Sequence, residues 1–560
     1  MVAAALFLIA RLVLIQVVEA ASLRQYAQSL HDHRIPLPAP RGEILDAGGK
    51  VLAMDVPLDQ VVAVPREVTH PRREAATLAK LLPFTERQIY GVLDQPKSWY
   101  GLLDRGVSPA LGQRIAALNL PGIEIVPTTG RSYPGGTLAS QVLGMVGANG
   151  QGLGGIEYAM NSVLAGKAGY ETVVTDAAGN PLPAWEKAYQ APVPGDSVEL
   201  TIDGAIEADA QKWLKWGVER VHALNGTVII EDPATGAIVA LANWPNFNPN
   251  NYVAATPQEE DDFAVQDPVP PGSIFKPVTA AAALTLGLVT PNTLFYTKGY
   301  QIVDGVRIND WNPKGWGWIT LTQAVEVSSD QVFLDLALKL GVQDFYRFVK
   351  AFGFFHPSGV GLPGDSNGVW LPENQVNAVD LATMGFGQGF AATPMQVVAA
   401  ISAIVNNGTM MQPHIVKAIL SPSGQVLRRT PLVVEGRPIS TTVAQEIQQM
   451  MVDEATYGTG IPAQVPGYII GGKTGTAQKV VNGRTSNSQF VSSYLGFGPY
   501  PHPRFVMLVM INRPVGKLFY GDQVAAPVWQ HIAQDLFHYW KIAPYATGDN
   551  GSLPGPPPKP

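Results

Sequence analysis

The stretch "PPGSIFKP", residues 270–277, decides how the chain is read. It sets a serine and a lysine three positions apart behind two prolines and a glycine. Pro270, Pro271 and Gly272 end whatever precedes them, and "SIFKPVTAAAALTLGL" then reads as a helix starting near Ser273. Residues i and i+3 share a helix face, roughly 5–6 Å apart at Cβ, so Ser273 and Lys276 are expected to touch. A serine hydroxyl becomes a nucleophile once a base takes its proton. Lysine serves as that base where burial and nearby positive charge favour the neutral amine. Unpaired N–H groups at a helix start suit a developing oxyanion. Taken alone, the same spacing is more often an N-cap serine beside an exposed lysine.

Two distant segments bear on that choice. "GGKTGTAQ", 471–478, lies between "GYII" and "KVV" and reads as a strand. Such a strand presents Lys473 as a cation and the Thr474 and Thr476 hydroxyls as donors. Gly475 keeps a side chain away from an approaching substrate backbone. The other reading is a plain strand with one exposed lysine. "VSSDQVF", 327–333, lies inside the helical pattern "TLTQAVEVSSDQVFLDLALKLG". A serine there supplies a second hydroxyl, or merely bonds back to a carbonyl. The order is S-x-x-K, a serine 55 residues on (328 − 273), and K-T-G 200 residues on (473 − 273).

Composition narrows the classes. At 560 residues the chain implies two or three domains, and 46% apolar with 15% charged residues is a folding composition. A net charge of −7 argues against nucleic acid as a partner. Without cysteine there is no disulfide, thiol catalysis or thiolate metal site, and nine scattered histidines form no H-E-x-x-H pair. No metal site is read.

Along the chain, 2–18 ("VAAALFLIARLVLIQVV") is apolar apart from Arg11 and Gln16. It reads as a membrane anchor, a cleavable signal or a buried helix. The segment 1–20 is taken as the anchor. Residues 21–192 mix helical and strand patterns and form an N-terminal α/β domain. The loop of "GANGQGLGGIEYAMNSVLAGKAG" lacks the G-K-[ST] of a phosphate cradle. From 193 to 545 strands and helices alternate: "DSVELTID", the helix "GAIEADAQKWLKWGVERV", the hairpin "GTVIIEDPATGAIVALAN", a second strand–turn–strand in "FVSSYLGFGPYPHPRFVMLVMINRP", and a closing helix in "DQVAAPVWQHIAQDLFHYW". The expected class is α+β, an antiparallel sheet flanked by helices. The tail, 546–560, is rich in proline and glycine and is expected to be disordered.

The trio S-x-x-K, serine, K-T-G is the set found in penicillin-binding proteins and class A β-lactamases. The chain resembles a class B penicillin-binding protein, a peptidoglycan D,D-transpeptidase, of the division and sporulation type. "PAPRGEILDAGGKVLA", 38–53, resembles the family's interdomain signature. "RSYPGGTLASQVLG" and "GQGLGGIEYAMNSVLAGKAG" resemble its pedestal, or dimerisation, domain. "FGQGFAATPMQVVAAISAIVNNG" and "YGDQVAAPVWQHIA" resemble later blocks of its transpeptidase domain. The resemblance runs from about 11 to 542. It implies the penicillin-binding transpeptidase fold, with Ser273 as acylated nucleophile, Lys276 as its base and Ser328 as proton relay. Lys473, Thr474 and Thr476 would hold the substrate's terminal carboxylate, with Gly475 and Asp330 beside it. Backbone N–H groups of Ser273 and Thr476 would form the oxyanion hole, and Arg41, Gly42 and Asp46 would be structural. No cofactor is implied. The implied partners are peptidoglycan stem peptides, β-lactam antibiotics and a membrane glycosyltransferase. The implied location is the cell membrane, single-pass, with the catalytic part extracytoplasmic.

The sequence departs from the family in two places. The second motif, usually serine-x-asparagine, is Ser328-Ser329-Asp330, framed so that Phe333 takes the family's aromatic position; Ser329-Asp330-Gln331 is the other frame. An acid at 330 is expected to pair with Lys276, against a neutral-base mechanism. "DAGG" stands where the signature has arginine. The rival readings are a D,D-carboxypeptidase with water as acceptor, a β-lactamase, and a catalytically impaired cell-wall scaffold.

Overall fold

The run "FVMLVMIN", Phe505–Asn512, is buried at every residue, which requires a sheet covered on both faces. The computed structural model describes residues 2–20, 22, 32–174, 188–481 and 484–545 and shows that sheet. Its strands are β1 (Asn225–Asp232), β2 (Ala237–Trp244), β3 (Gly471–Val481), β4 (Arg484–Gly498) and β5 (Phe505–Asn512), in the order β2-β1-β5-β4-β3. Every pairing is antiparallel. The expected hairpin around the "DPATG" turn is β1–β2, and the K-T-G segment is edge strand β3.

Alternate residues of β5 serve two cores. Phe505, Met507, Val509 and Ile511 pack with helices Gly204–Arg220 and Ala526–Tyr539 on one face. Val506, Leu508 and Met510 join the larger core on the other. That core is built by helices α1 (Lys276–Thr285), α2 (Asp330–Ala351), α3 (Pro394–Val405) and α4 (Thr441–Tyr457). Helix α1 is buried from Lys276 to Leu284. A helix apolar all round must lie inside a domain, so any polar group it carries is set deep in the protein.

A second sheet has seven strands. It joins Ile44–Leu45, Val51–Ala63, Gly101–Val107 and Ile123–Ser132 to Ser197–Leu200, Val416–Leu420 and Val426–Arg429. Strands from both sides of residue 192 therefore share one hydrogen-bonded ladder, through a parallel pairing of Ile44–Leu45 with Ser197–Leu200. The signature residues sit at this junction. Arg41 Nε donates to Glu157 Oε2 at 2.6 Å, and Arg131 Nε to Glu157 Oε1 at 2.6 Å. A Cβ on Gly42 would lie 1.9 Å from the Asp196 carbonyl oxygen. Asp46 accepts from Gly48 and Lys50 N–H at 2.9 and 2.8 Å. The stretch after the glycine-rich loop forms two short helices, Gly155–Ala159 and Asn161–Leu164.

At the N-terminus, an α-helix Val2–Val13 continues as a π-helical turn Leu14–Val18. Among the described residues, no helix is long and apolar enough to cross a membrane. The tail 546–560, expected to be disordered, lies outside the described residues.

Candidate active site

Ser273 lies in a 3₁₀ turn, Gly272–Phe275, and the α-helix begins only at Lys276. This corrects the expected helix start, and Pro277 is the reason. Proline has no N–H to offer the carbonyl four residues back, and its ring crowds that carbonyl. The Ser273 carbonyl accepts instead from Lys276 N–H, an i→i+3 bond. Gly272, at φ +61°, fits where a Cβ would come 3.0 Å from Ala477 Cβ and 3.2 Å from the Thr476 carbonyl. The serine turn is thereby pressed against β3.

Strand alternation sorts β3 into two roles. Lys473, Gly475 and Ala477 point inward, while Thr474 and Thr476 line a cleft. Gly475 differs from expectation. A Cβ there would meet Ser493 Oγ at 2.3 Å and Ile274 Cγ2 at 2.9 Å. Its missing side chain makes room for the serine turn, on the face opposite a substrate. Thr476 Oγ1 accepts from Gly521 N–H at 3.0 Å, which leaves its own proton for a ligand. Thr474 Oγ1 instead sits 3.1 Å from Glu454 Oε1 and 2.5 Å from Thr459 Oγ1. Its hydroxyl is engaged inward.

The middle segment is not inside a helix. Leu321–Glu326 ends, Ser328 adopts φ +57°, and α2 begins at Asp330. This left-handed residue turns Ser328 Oγ toward Lys276 Nζ, 3.1 Å away, and Lys276 Nζ also donates to the Ser328 carbonyl at 2.6 Å. Asp330 Oδ1 takes the third ammonium proton at 2.8 Å. An ammonium has three donors. Among the described residues none of these bonds goes to Ser273 Oγ, contrary to the direct contact read from the spacing. Ser329 Oγ turns away to Asp310 Oδ2 at 2.7 Å, so the frame with Ser328 is the one that faces Lys276. Phe333 lies beneath, its ring centroid 5.4 Å from Lys276 Nζ.

The segments converge on one cleft of ≈ 940 Å³, lined by Ser273, Ser328, Asp330, Thr474 and Thr476. Lys276 and Lys473 are fully buried below it. Burial pushes the Lys473 ammonium down to about 8, opposed by Glu454 and reinforced by Lys276. Burial pushes the Asp330 carboxyl up, against the pull of Lys276, and Asp310 adds to the rise. No group of three or more metal-ligating side chains occurs among the described residues.

Three contributors escaped the sequence reading. Asp310 Oδ2 accepts from Ser329 Oγ and from Gln331 N–H at 3.2 Å, and Trp311 Nε1 donates to the Val327 carbonyl at 3.0 Å. Together they brace the turn that aims Ser328. Glu454, fully buried, accepts at Oε1 from Lys473 Nζ at 3.3 Å and Thr474 N–H at 3.0 Å. The signal for Glu454 was available: it falls on the apolar stripe of α4 with Ile447 and Met451, where an acid needs a partner. Nothing in the local pattern marks Asp310.

Residues 226–534 match the penicillin binding protein transpeptidase domain, and residues 36–200 the penicillin-binding protein dimerisation domain. Stage V sporulation protein D of Bacillus subtilis is 33% identical over 530 residues, covering 94% of this chain and 82% of that protein. The peptidoglycan D,D-transpeptidase FtsI of Escherichia coli is 28% identical over 559 residues, covering 98% and 92%. The crystal structure of penicillin binding protein 3 from Mycobacterium tuberculosis, complexed with ampicillin, superposes with a TM-score of 0.73 at 26% identity over 93% of this chain and 99% of that one. With both domains matched in order around a shared cleft, the chain belongs to the penicillin-binding proteins that carry a dimerisation domain ahead of a transpeptidase domain.

Proposed function

We propose that the chain is a serine-type peptidoglycan D,D-transpeptidase that also takes β-lactams covalently at Ser273. The observation that carries this is the meeting of Ser273, Ser328 and the two buried ammonium groups, Lys276 and Lys473, at one cleft. Lys276, relieved of its proton, takes the proton of Ser273 Oγ. The oxygen then attacks the carbonyl between the two terminal D-alanines of a stem peptide. The new ester forms, the peptide C–N bond breaks, and D-alanine leaves with a proton passed through Ser328. An amine of a neighbouring stem attacks the ester, and Ser273 recovers its proton as the crosslink amide forms. Lys473 supplies positive charge, and Thr476 a free hydroxyl, for the terminal carboxylate. N–H groups of Ser273 and Thr476 serve the oxyanion, and losing one such donor costs about 10²–10³ in rate.

The reading places the membrane anchor at 1–20, the pedestal at 21–192 and the transpeptidase domain at 193–545. The solvent-facing apolar side chains of the first helix, such as Leu6 at 62% and Phe7 at 72% exposure, support an anchor over a buried helix. A membrane glycosyltransferase is the partner implied by the pedestal. Intact-protein mass spectrometry, followed by mapping of the modified peptide, tests the chemistry. Wild type gains the mass of one penicillin on the peptide holding Ser273, and Ser273→Ala gains none. A folded wild type that takes up no penicillin overturns the reading. Product analysis with an amine acceptor separates transpeptidase from carboxypeptidase, since only the former makes a new amide.

A further inference from the structure

Behind β3 lies a buried carboxylate that the mechanism above does not use. Glu454 reaches from α4 to the K-T-G strand with no exposed surface. Its Oε1 receives Lys473 Nζ at 3.3 Å, Thr474 N–H at 3.0 Å, Thr474 Oγ1 at 3.1 Å and Thr459 Oγ1 at 2.8 Å. Its Oε2 has no hydrogen-bond partner among the described residues. Gly460 is packed so closely that a Cβ there would lie 2.2 Å from Oε2. A carboxylate this deep is expensive unless charge and hydrogen bonds compensate it. Here all the compensation falls on the oxygen that faces Lys473.

We propose that Glu454 is a positioning residue for the reaction: Oε1 anchors the Lys473 ammonium and turns the Thr474 hydroxyl inward, leaving Lys473 as the charge and Thr476 as the hydroxyl offered to the substrate carboxylate. This rests on the transpeptidase reading. A hydroxyl has one proton, and the inward bonds of Thr474 engage it. Thr476, which accepts from Gly521 N–H, keeps its proton for the cleft. The charge of Lys473 needs the same support. Burial opposes it, as does Lys276 on α1, while Glu454 and Asp330 favour it. Asp522, in the short helix Gly521–Val524, feels Lys473 as well, and the Tyr494 hydroxyl on β4 feels Glu454. Of these groups, Glu454 is the one that ranks first in holding Lys473 charged.

The test uses full-length protein labelled with ε-13C-lysine, with Lys473→Arg to assign the Lys473 resonance. The expected wild-type midpoint for Lys473 is about 8, lowered by burial. In Glu454→Gln, which keeps the size and an acceptor oxygen, the midpoint falls by at least about one pH unit; Glu454→Asp, which keeps the charge, restores most of it. In parallel, the alkaline limb of penicillin acylation moves down by the same amount. The variant then acylates roughly five- to tenfold more slowly than wild type at pH 8 and nearly equally at pH 6. A folded Glu454→Gln with an unmoved Lys473 midpoint, or with a rate profile superimposable on wild type, overturns the proposal. A loss of melting temperature with both profiles unmoved assigns Glu454 a structural role and overturns it too. Wild type that never acylates sinks the transpeptidase reading, and the titration arm still decides the hold of Glu454 on Lys473.

Discussion

At the scale of single residues, Asp330 is the departure with the clearest consequence. Its carboxylate lies 2.8 Å from Lys276 Nζ and, with Ser328, occupies the donors that a base would turn toward Ser273. Asp330→Asn breaks this ion pair and frees a Lys276 donor to turn toward Ser273, so it is expected to accelerate penicillin acylation near neutral pH by up to about tenfold, the worth of one charge-assisted hydrogen bond of about 1.5 kcal/mol. Stopped-flow acylation rates of wild type and variant between pH 6 and 9 check this, and a slower variant at every pH contradicts it. The pairing was legible from the letters alone, since an acid two residues after Ser328 has few other roles. The inward turn of Thr474 was not, because its cause, Glu454, lies 20 residues upstream on another element.

At the scale of elements, the turn between Glu326 and Asp330 decides where the second hydroxyl points. The helical periodicity of "TLTQAVEVSSDQVFLDLALKLG" runs through this turn, yet Ser328 sits at φ +57°. Left-handed backbone costs a non-glycine residue roughly 1–2 kcal/mol, met here by the bonds of Asp310 and Trp311 to the flanking residues. Ser328→Gly is expected to match or exceed Ser328→Ala in stability by about 1 kcal/mol. Both variants lose the Oγ contact with Lys276 and should acylate comparably slowly. Urea unfolding midpoints set beside acylation rates test this; an alanine variant more stable than the glycine variant counts against it. Periodicity could not reveal the break, because the hydrophobic stripe resumes in phase and the clamp comes from residues 310 and 311. The serine turn is the opposite case. Pro277 is visible in the sequence, and its missing N–H is enough to predict a 3₁₀ start.

At the scale of the whole molecule, folding buries acids that have no cation beside them among the described residues. Burial pushes Glu231 from 4.5 to about 8, Glu207 from 4.5 to about 7 and Asp262 from 3.8 to about 7. Each is raised, so the folded state holds a proton that the unfolded chain has released. Their contribution is full below the unfolded values near 4 and is lost as pH rises toward 7–8, at about 1.4 kcal/mol per pH unit per group inside the window. Melting temperature should therefore fall between pH 5 and pH 8. Glu231→Gln should flatten the slope, because a neutral amide no longer releases a proton. Differential scanning calorimetry across that range decides it, and identical slopes for wild type and Glu231→Gln would refute the assignment.

What the sequence by itself determined is the chemistry and its order along the chain: Ser273 before Lys276, Ser328 next, the K-T-G strand last, and the hairpins of the sheet that strand belongs to. These are local properties, set by residue type, period and turn chemistry. What only the tertiary structure decided is direction. It set which face of β3 meets the cleft, which hydroxyl keeps a free proton, which serine of 328 and 329 reaches Lys276, and that the pedestal sheet borrows strands from beyond residue 192. Each depends on contacts between residues tens to hundreds of positions apart, and a local pattern holds no information about what will pack against it.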